Sequence, residues 1–370
     1  MIILDDGPEG RAAEFRSPRE VVVADRLPDV LPALRRLEEA RRGGGWVAGW
    51  MAYEAGFAFE ARLSSLDVPG QPLLAFGIFD VPTQPQSHHA APVRLAPPEP
   101  VITREAYGEA FRQTQALIAA GDVYQINLTF PMQTRLLHGT AADLAAALTH
   151  LQPVAHGGFA DLGVGPTVIS RSPELFFRTD ASGRIEARPM KGTAPRHPDP
   201  AQDAALAAAL GASVKNRAEN LMIVDLLRND LSRLSRVGSV RVPDLFDVET
   251  FATVHQMTSR VTAQLAAPPD LCTLMQALFP CGSITGAPKI RAMQIIHALE
   301  PHPRGIYCGT LGWMGPDGSS SFSVAIRTLA LRGDEITLNV GGGIVADSTE
   351  SSEWEEALWK ARYMMPLVQG

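Results

Sequence analysis

Lys191 stands in the hexapeptide RPMKGT (residues 188–193), where a bounding proline and glycine predict a tight turn. A neutral amine held there could act as a nucleophile or form a Schiff base. An ordinary lysine pKa of about 10.4 leaves only roughly one amine in 2,500 neutral at pH 7, so such work needs a site that depresses it. On the turn alone, the ordinary reading is a loop lysine whose ammonium reaches water. A second pattern lies near the C-terminus. Glu353, Glu356 and Lys360 fall at i, i+3 and i+7 and share one helix face, while Trp354, Ala357, Leu358, Ala361 and Met365 fall at core spacing. Ser352 with Glu355 three residues on reads as a capping box, which gives Glu355 a structural part. The stripe by itself is a solvated ladder of charges. By the same standard His255 is a hydrogen-bonded structural histidine, and the run Gly341, Gly342, Gly343 is a tight bend.

Several elements must position these groups. Glycine-bounded apolar strands are predicted at 45–60 and 73–79, and a helix over residues 27–42 between earlier strands. Residues 81–100, VPTQPQSHHAAPVRLAPPEP, lose all periodicity and read as a linker. Thr103 caps a helix that buries Tyr107, Ala110, Phe111, Thr114, Leu117 and Ile118 and closes at Gly121. Over residues 123–130 Tyr124, Ile126, Leu128 and Phe130 alternate with Gln125, Asn127 and Thr129, a strand with one polar face. Further strands are predicted at 167–169, 175–178, 237–242, 309–313, 321–331 and 336–340, and helices at 213–231, 271–278 and 289–299. This mixed order indicates an α+β or complex α/β fold rather than a doubly wound sheet. Residues 1–80 read as an N-terminal α/β region packing on a catalytic domain at 101–370.

The bulk properties narrow the class. At 370 residues and 45% hydrophobic the chain can bury a large core. A formal charge of −7, with dispersed basic residues, argues against a nucleic-acid partner. Cys272, Cys281 and Cys308 are odd in number and lack metal-type spacing, so they read as reduced, buried thiols. The start, MIILDDGPEGR, is no signal sequence, and no run approaches the ~20 apolar residues of a membrane span. The expectation is a cytoplasmic enzyme with no membrane partner.

Around RPMKGT lie GDVYQINLT (121–129), SRSPELFF (170–177), KNRAENLMIVDLLRNDL (215–231), GSITGAPK (282–289), AIRT (325–328) and GGGIVADS (341–348). In this order and spacing they closely resemble the chorismate-utilising enzymes of the anthranilate synthase component I type, over roughly residues 103–366. The resemblance implies two facing β-sheets flanked by helices, with the active site between them. It implies magnesium held by Glu219 and Glu353, with Glu356 near or acting through water, and Lys360 following the E-x-x-E motif. Chorismate carries two carboxylates. By resemblance Arg327 takes the enolpyruvyl carboxylate with Tyr307 and the N–H groups of Gly341, Gly342 and Gly343, whereas the ring carboxylate meets magnesium and the backbone at Gly192 and Thr193. Thr285 and His255 also match pocket positions. Glu174 matches the general acid that protonates the departing ring hydroxyl, a role needing a raised carboxyl pKa.

Two positions separate the family's reactions. Gln125 stands where the water-using members resemble one another in carrying a lysine, so its presence points to ammonia. Lys191 stands where anthranilate synthases have alanine, which makes the chain similar to the members that aminate ring carbon 4. The implied course has Lys191 attack carbon 2 as hydroxyl leaves carbon 4, after which ammonia adds at carbon 4 and Lys191 departs. The product is 4-amino-4-deoxychorismate, the precursor of 4-aminobenzoate for folate. No cysteine nucleophile in a glycine elbow marks a built-in glutaminase, so the resemblance implies a separate glutamine amidotransferase subunit. Glu350 and Gln256 depart from the family's usual proline and histidine. The alternatives are an anthranilate synthase component I with an unusual lysine, or a noncatalytic chorismate-binding subunit.

Overall fold

The helices with clear apolar stripes match the sequence whether or not a side chain caps them. The structure, a computed structural model, describes residues 1–66, 72–86, 90–251 and 254–368. Helix α1 (Leu27–Arg42) buries Val30, Ala33, Leu34 and Leu37. Helix α2 (Arg104–Ala119) starts at Thr103, whose hydroxyl accepts the Ala106 N–H at 3.2 Å, and turns Tyr107, Phe111 and Thr114 inward. Two helices were not anticipated, α3 (Ala141–Leu151) and α4 (Pro200–Ala212). Both are alanine-rich, and alanine gives a periodic pattern little contrast. Ser213 ends α4 and caps α5 (Val214–Ser232), and α6 (Leu271–Leu278) and α7 (Lys289–Leu299) match their expected bounds. The last helix, α8 (Glu350–Trp359), starts earlier than the Ser352 cap required. Thr349 is its N-cap residue and makes no side-chain cap bond, so the expected capping box is absent and Glu355 is an exposed residue 3.7 Å from Arg104.

Among the described residues the strands make two antiparallel sheets of ten strands each. In sheet I the order is Gly286–Ala287, Gln125–His138, Glu335–Ile344, Thr328–Arg332, Thr167–Ser170, Gly158–Ala160, Ile2–Leu4 and Ala13–Phe15. Sheet II runs Met190–Pro195, Val254–Gln264, Arg184–Arg188, Leu175–Thr179, Ser320–Val324, Thr310–Met314, Trp46–Met51, Leu74–Phe79 and Glu20–Ala24. Strands from the first 80 residues therefore continue both sheets, Ile2–Leu4 pairing with Gly158–Ala160 and Trp46–Met51 with Thr310–Met314. The fold is α+β, two large antiparallel sheets with helices against them. In the proline-rich stretch, Arg94–Leu95 and Glu99–Pro100 pair with the long Gln125–His138 strand, whereas residues 87–89 lie outside the described ones.

The expected single strand at 321–331 is two strands in different sheets. Ser320–Val324 belongs to sheet II and Thr328–Arg332 to sheet I, and the chain passes between them through Ala325, Ile326 and Arg327, the last in a left-handed conformation with φ of 49°. A second crossing, residues 171–174, links Thr167–Ser170 in sheet I to Leu175–Thr179 in sheet II. The crossings lie side by side. Arg171 N–H donates to the Arg327 carbonyl at 3.0 Å and Val324 N–H to the Glu174 carbonyl at 3.1 Å. The strand expected at 237–242 starts instead at Arg241, after a fully exposed Val237. No described helix is long and apolar enough to cross a membrane.

Candidate active site

RPMKGT is not a free turn. Met190–Pro195 is an edge strand of sheet II whose register against Val254–Gln264 slips between Met190 (opposite Thr258) and Thr193 (opposite Gln256). Three steps on one strand meet two on the other, which is a β-bulge, and Gly192 takes the positive φ of 83° inside it. The bulge turns Lys191 out of the ladder. Its ammonium enters a cavity of about 650 Å³ between the two sheets, closed on one side by α5 and α8. A Cβ placed on Gly343 would lie 3.1 Å from Lys191 Nζ and 3.0 Å from Gln125 Nε2, so a side chain there would press on both.

Glu174 and Arg327 reach the same cavity from the paired sheet crossings. Ser172 Oγ donates to the Val324 carbonyl and accepts from Glu174 N–H at 3.2 Å, which fixes the turn that carries Glu174. The carboxyl of Glu174 is buried and accepts a 2.7 Å hydrogen bond from Ser283 Oγ. Burial pushes its pKa up to about 7 against the opposing pull of Ser283 and Lys191. Desolvation in turn lowers the pKa of Lys191, although Glu219 and Glu174 favour its charged form.

Aromatic packing sets the other wall. Trp354 stacks on Phe130 at 4.7 Å and meets Tyr107 at 5.2 Å, pinning α8 to sheet I with Glu353, Glu356 and Lys360 facing the cavity. Glu353 accepts a 2.7 Å bond from Ser348, and burial raises its pKa. Lys360 donates to the Gly341 carbonyl at 2.7 Å and pairs with Glu356 at 2.8 Å, which lowers the Glu356 pKa. From α5, Glu219 faces α8 with its pKa raised by burial. These carboxylates are all hard oxygen donors and suit a cation such as magnesium. Among the described residues, however, no three potential ligands converge closely enough to hold an ion unaided.

The cavity brings together Glu174, Lys191, Gly192, Thr193, Glu219, Tyr307, Arg327, Gly341, Gly342, Gly343, Glu353, Glu356 and Lys360. Three expected residues are not on its surface. His255 is buried with Nδ1 against Thr250 Oγ1 and Nε2 against Asp203 Oδ1, both at 2.9 Å, so both ring nitrogens are occupied and its neighbour Gln256 reaches the cavity instead. Thr285 turns its hydroxyl back onto the Cys281 and Gly282 carbonyls, and Ser283 and Ile284 form the wall. Gln125 lies buried just behind Gly343, with neither end of its amide hydrogen-bonded. Asn339 and Lys215 also line the cavity and were not singled out from the sequence; Asn127 was visible there only as part of a polar strand face.

The chain is similar to known proteins in sequence and in fold. A family model described as chorismate binding enzyme matches residues 8–366. Aminodeoxychorismate synthase component 1 of Escherichia coli (strain K12) is 45% identical over 72% of this chain and 58% of that protein. Anthranilate synthase component 1 of Streptomyces coelicolor is 42% identical over 72% of this chain and 52% of that protein. The matched stretch thus spans little more than half the length of these relatives. Anthranilate synthase component I from Streptococcus pneumoniae superposes with a TM-score of 0.81 at 24% identity, over 95% of this chain and 91% of that one, a likeness of fold.

Proposed function

Since the chain belongs to the chorismate binding enzyme family, we propose that it aminates chorismate at ring carbon 4, giving 4-amino-4-deoxychorismate for 4-aminobenzoate and folate synthesis. The observation that carries this reading is the half-buried Lys191, aimed from its bulge into the cavity beside the buried acid Glu174. Anthranilate formation has no use for a nucleophile at that point. Lys191, whose neutral form desolvation favours, forms a bond to ring carbon 2 through that form. The carbon 4–oxygen bond breaks as the Glu174 proton goes to the hydroxyl, which leaves as water. Ammonia then adds at carbon 4, a proton from its nitrogen returns to the Glu174 carboxylate, and the bond to Lys191 breaks, restoring the amine.

Arg327 and Tyr307 grip the enolpyruvyl carboxylate, the guanidinium supplying two parallel donors. Glu219 and Glu353, with Glu356 beside them, would hold a magnesium ion completed by water and substrate. That ion would supply positive charge for the ring carboxylate, with the backbone at Gly192 and Thr193 alongside. Burial has already raised the pKa values of Glu219 and Glu353, a cost that a divalent cation would relieve. Ammonia would come from a separate glutamine amidotransferase subunit.

The test is incubation with chorismate, magnesium and ammonium, followed by product identification. 4-Amino-4-deoxychorismate is expected. Anthranilate and pyruvate would instead favour the reading suggested by the 42% identical anthranilate synthase. No product at all would leave a chorismate-binding subunit.

A further inference from the structure

Beneath Glu174 runs a short line of hydrogen bonds that the reaction as described does not use. Ser283 Oγ lies 2.7 Å from Glu174 Oε1, and Cys281 Sγ lies 3.3 Å from Ser283 Oγ. All three side chains are buried. Burial pushes the Cys281 thiol up to about 12, so the sulfur keeps its hydrogen near neutral pH. A protonated thiol is a weak donor and a poor acceptor, so the S–H points at Ser283 Oγ. A serine hydroxyl has one hydrogen. With its oxygen accepting from Cys281, that hydrogen goes to Glu174 Oε1. The segment is held from below as well, because Thr285 Oγ1 binds the Cys281 and Gly282 carbonyls.

We propose that Ser283, oriented by the Cys281 thiol, is a positioning residue that keeps Glu174 Oε1 an acceptor and thereby confines the acid's proton to Oε2. The inference rests on the reading of Glu174 as the acid that protonates the departing hydroxyl. When Oε2 gives up its proton, Ser283 remains on Oε1 and stabilises the carboxylate left behind, so the acid is both aimed and strengthened. The other groups facing this carboxyl are Lys191 and the Met190 backbone of the bulged strand, Cys281 itself, and Cys308, whose thiol burial also raises to about 12. Of these Lys191 is the one whose charged form desolvation disfavours, and it is untouched by replacing Ser283.

The experiment is infrared difference titration of the whole protein without substrate, with the Glu174 carboxyl band assigned by its disappearance in Glu174→Gln. In Ser283→Ala the band should move to higher wavenumber and its titration midpoint should rise, since a hydrogen bond favouring the anion is gone. Cys281→Ala should shift both in the same direction by less, and Ser283→Thr should restore them. In turnover, Ser283→Ala should lose roughly tenfold in kcat with KM little changed, a part of the roughly 100- to 10,000-fold that a positioned acid contributes. Should Ser283→Ala fail to fold, Ser283→Cys carries the same reading because its thiol is a weaker donor. An unmoved band and midpoint on loss of the Ser283 hydroxyl overturn the proposal, whatever happens to the rate. Bands that move as expected in a protein that forms no aminated product uphold the relay and refute the proposed reaction.

Discussion

Two glutamate–lysine pairs face the same cavity, and they are chemically opposite. At the rim Glu356 on α8 and Lys360, its C-cap residue, lie 2.8 Å apart, and the ion pair holds the Glu356 carboxyl below its ordinary pKa. At the inner end Glu174 comes from the residue 171–174 crossing and Lys191 from the bulged strand, and desolvation outweighs the compensation that their charged neighbours supply. Burial lifts the acid to about 7 and desolvation lowers the amine. Water decides the difference. A solvated pair stays charged and can only attract, whereas a desolvated pair is driven toward its neutral forms, an acid with a proton to give and an amine with a lone pair.

The largest expected effect breaks this comparison at its inner end. Lys191→Ala should cut amination by about three orders of magnitude or more and remove the substrate adduct on the peptide carrying residue 191, read by mass spectrometry after incubation without ammonia. A near-normal Lys191→Arg enzyme would reduce the inner lysine to a mere charge, like the one at the rim.

Next come the carboxylates between the two ends. Glu219→Gln and Glu353→Gln should abolish turnover at any accessible magnesium concentration with little change in Tm, while Glu356→Gln should mainly raise the magnesium required. Full activity in excess chelator would contradict all three. Glu174→Gln should then cost roughly 100- to 10,000-fold in kcat. It should also change stability in a definite direction. A carboxyl whose folded pKa lies above its unfolded value contributes stability below about pH 4.5 and loses it as pH rises through about 7. Glu174→Gln should therefore flatten the decline in Tm between pH 5 and 8, and an unchanged slope would mean that Glu174 is not desolvated. The smallest effect is expected at Glu355. Its charge is exposed beside Arg104 at 3.7 Å, so Glu355→Gln should shift stability by less than about 0.5 kcal/mol and leave the rate alone.

Much of the site was legible along the chain because motif residues sit at short range. GGG, E-x-x-E, SPE and AIRT each bring their groups to the cavity with no need to know the rest of the fold. His255 and Thr285 failed for a reason of the same scale. Adjacent residues on a strand or in a turn face opposite ways, and a motif match cannot tell His255 from Gln256 or Thr285 from Ser283. The Ser352 capping pattern lies about one turn inside the helix, which Thr349 begins without any side-chain bond.

The sequence by itself determined the helices at 27–42, 271–278 and 289–299, the α+β class, the family resemblance and about half of the residues on the cavity wall. These depend on local periodicity, caps and residue type, which survive in one dimension. Tertiary structure alone decided that the strand expected at 321–331 breaks at Arg327 to change sheets, that the residue 171–174 crossing lies against it, and that RPMKGT is a bulge in a sheet edge rather than a loop. Those arrangements rest on hydrogen bonds between residues far apart in sequence, such as Arg171 to Arg327. Burial, and with it the shift of Glu174 and Lys191 toward their neutral forms, exists only once both sheets have closed around them.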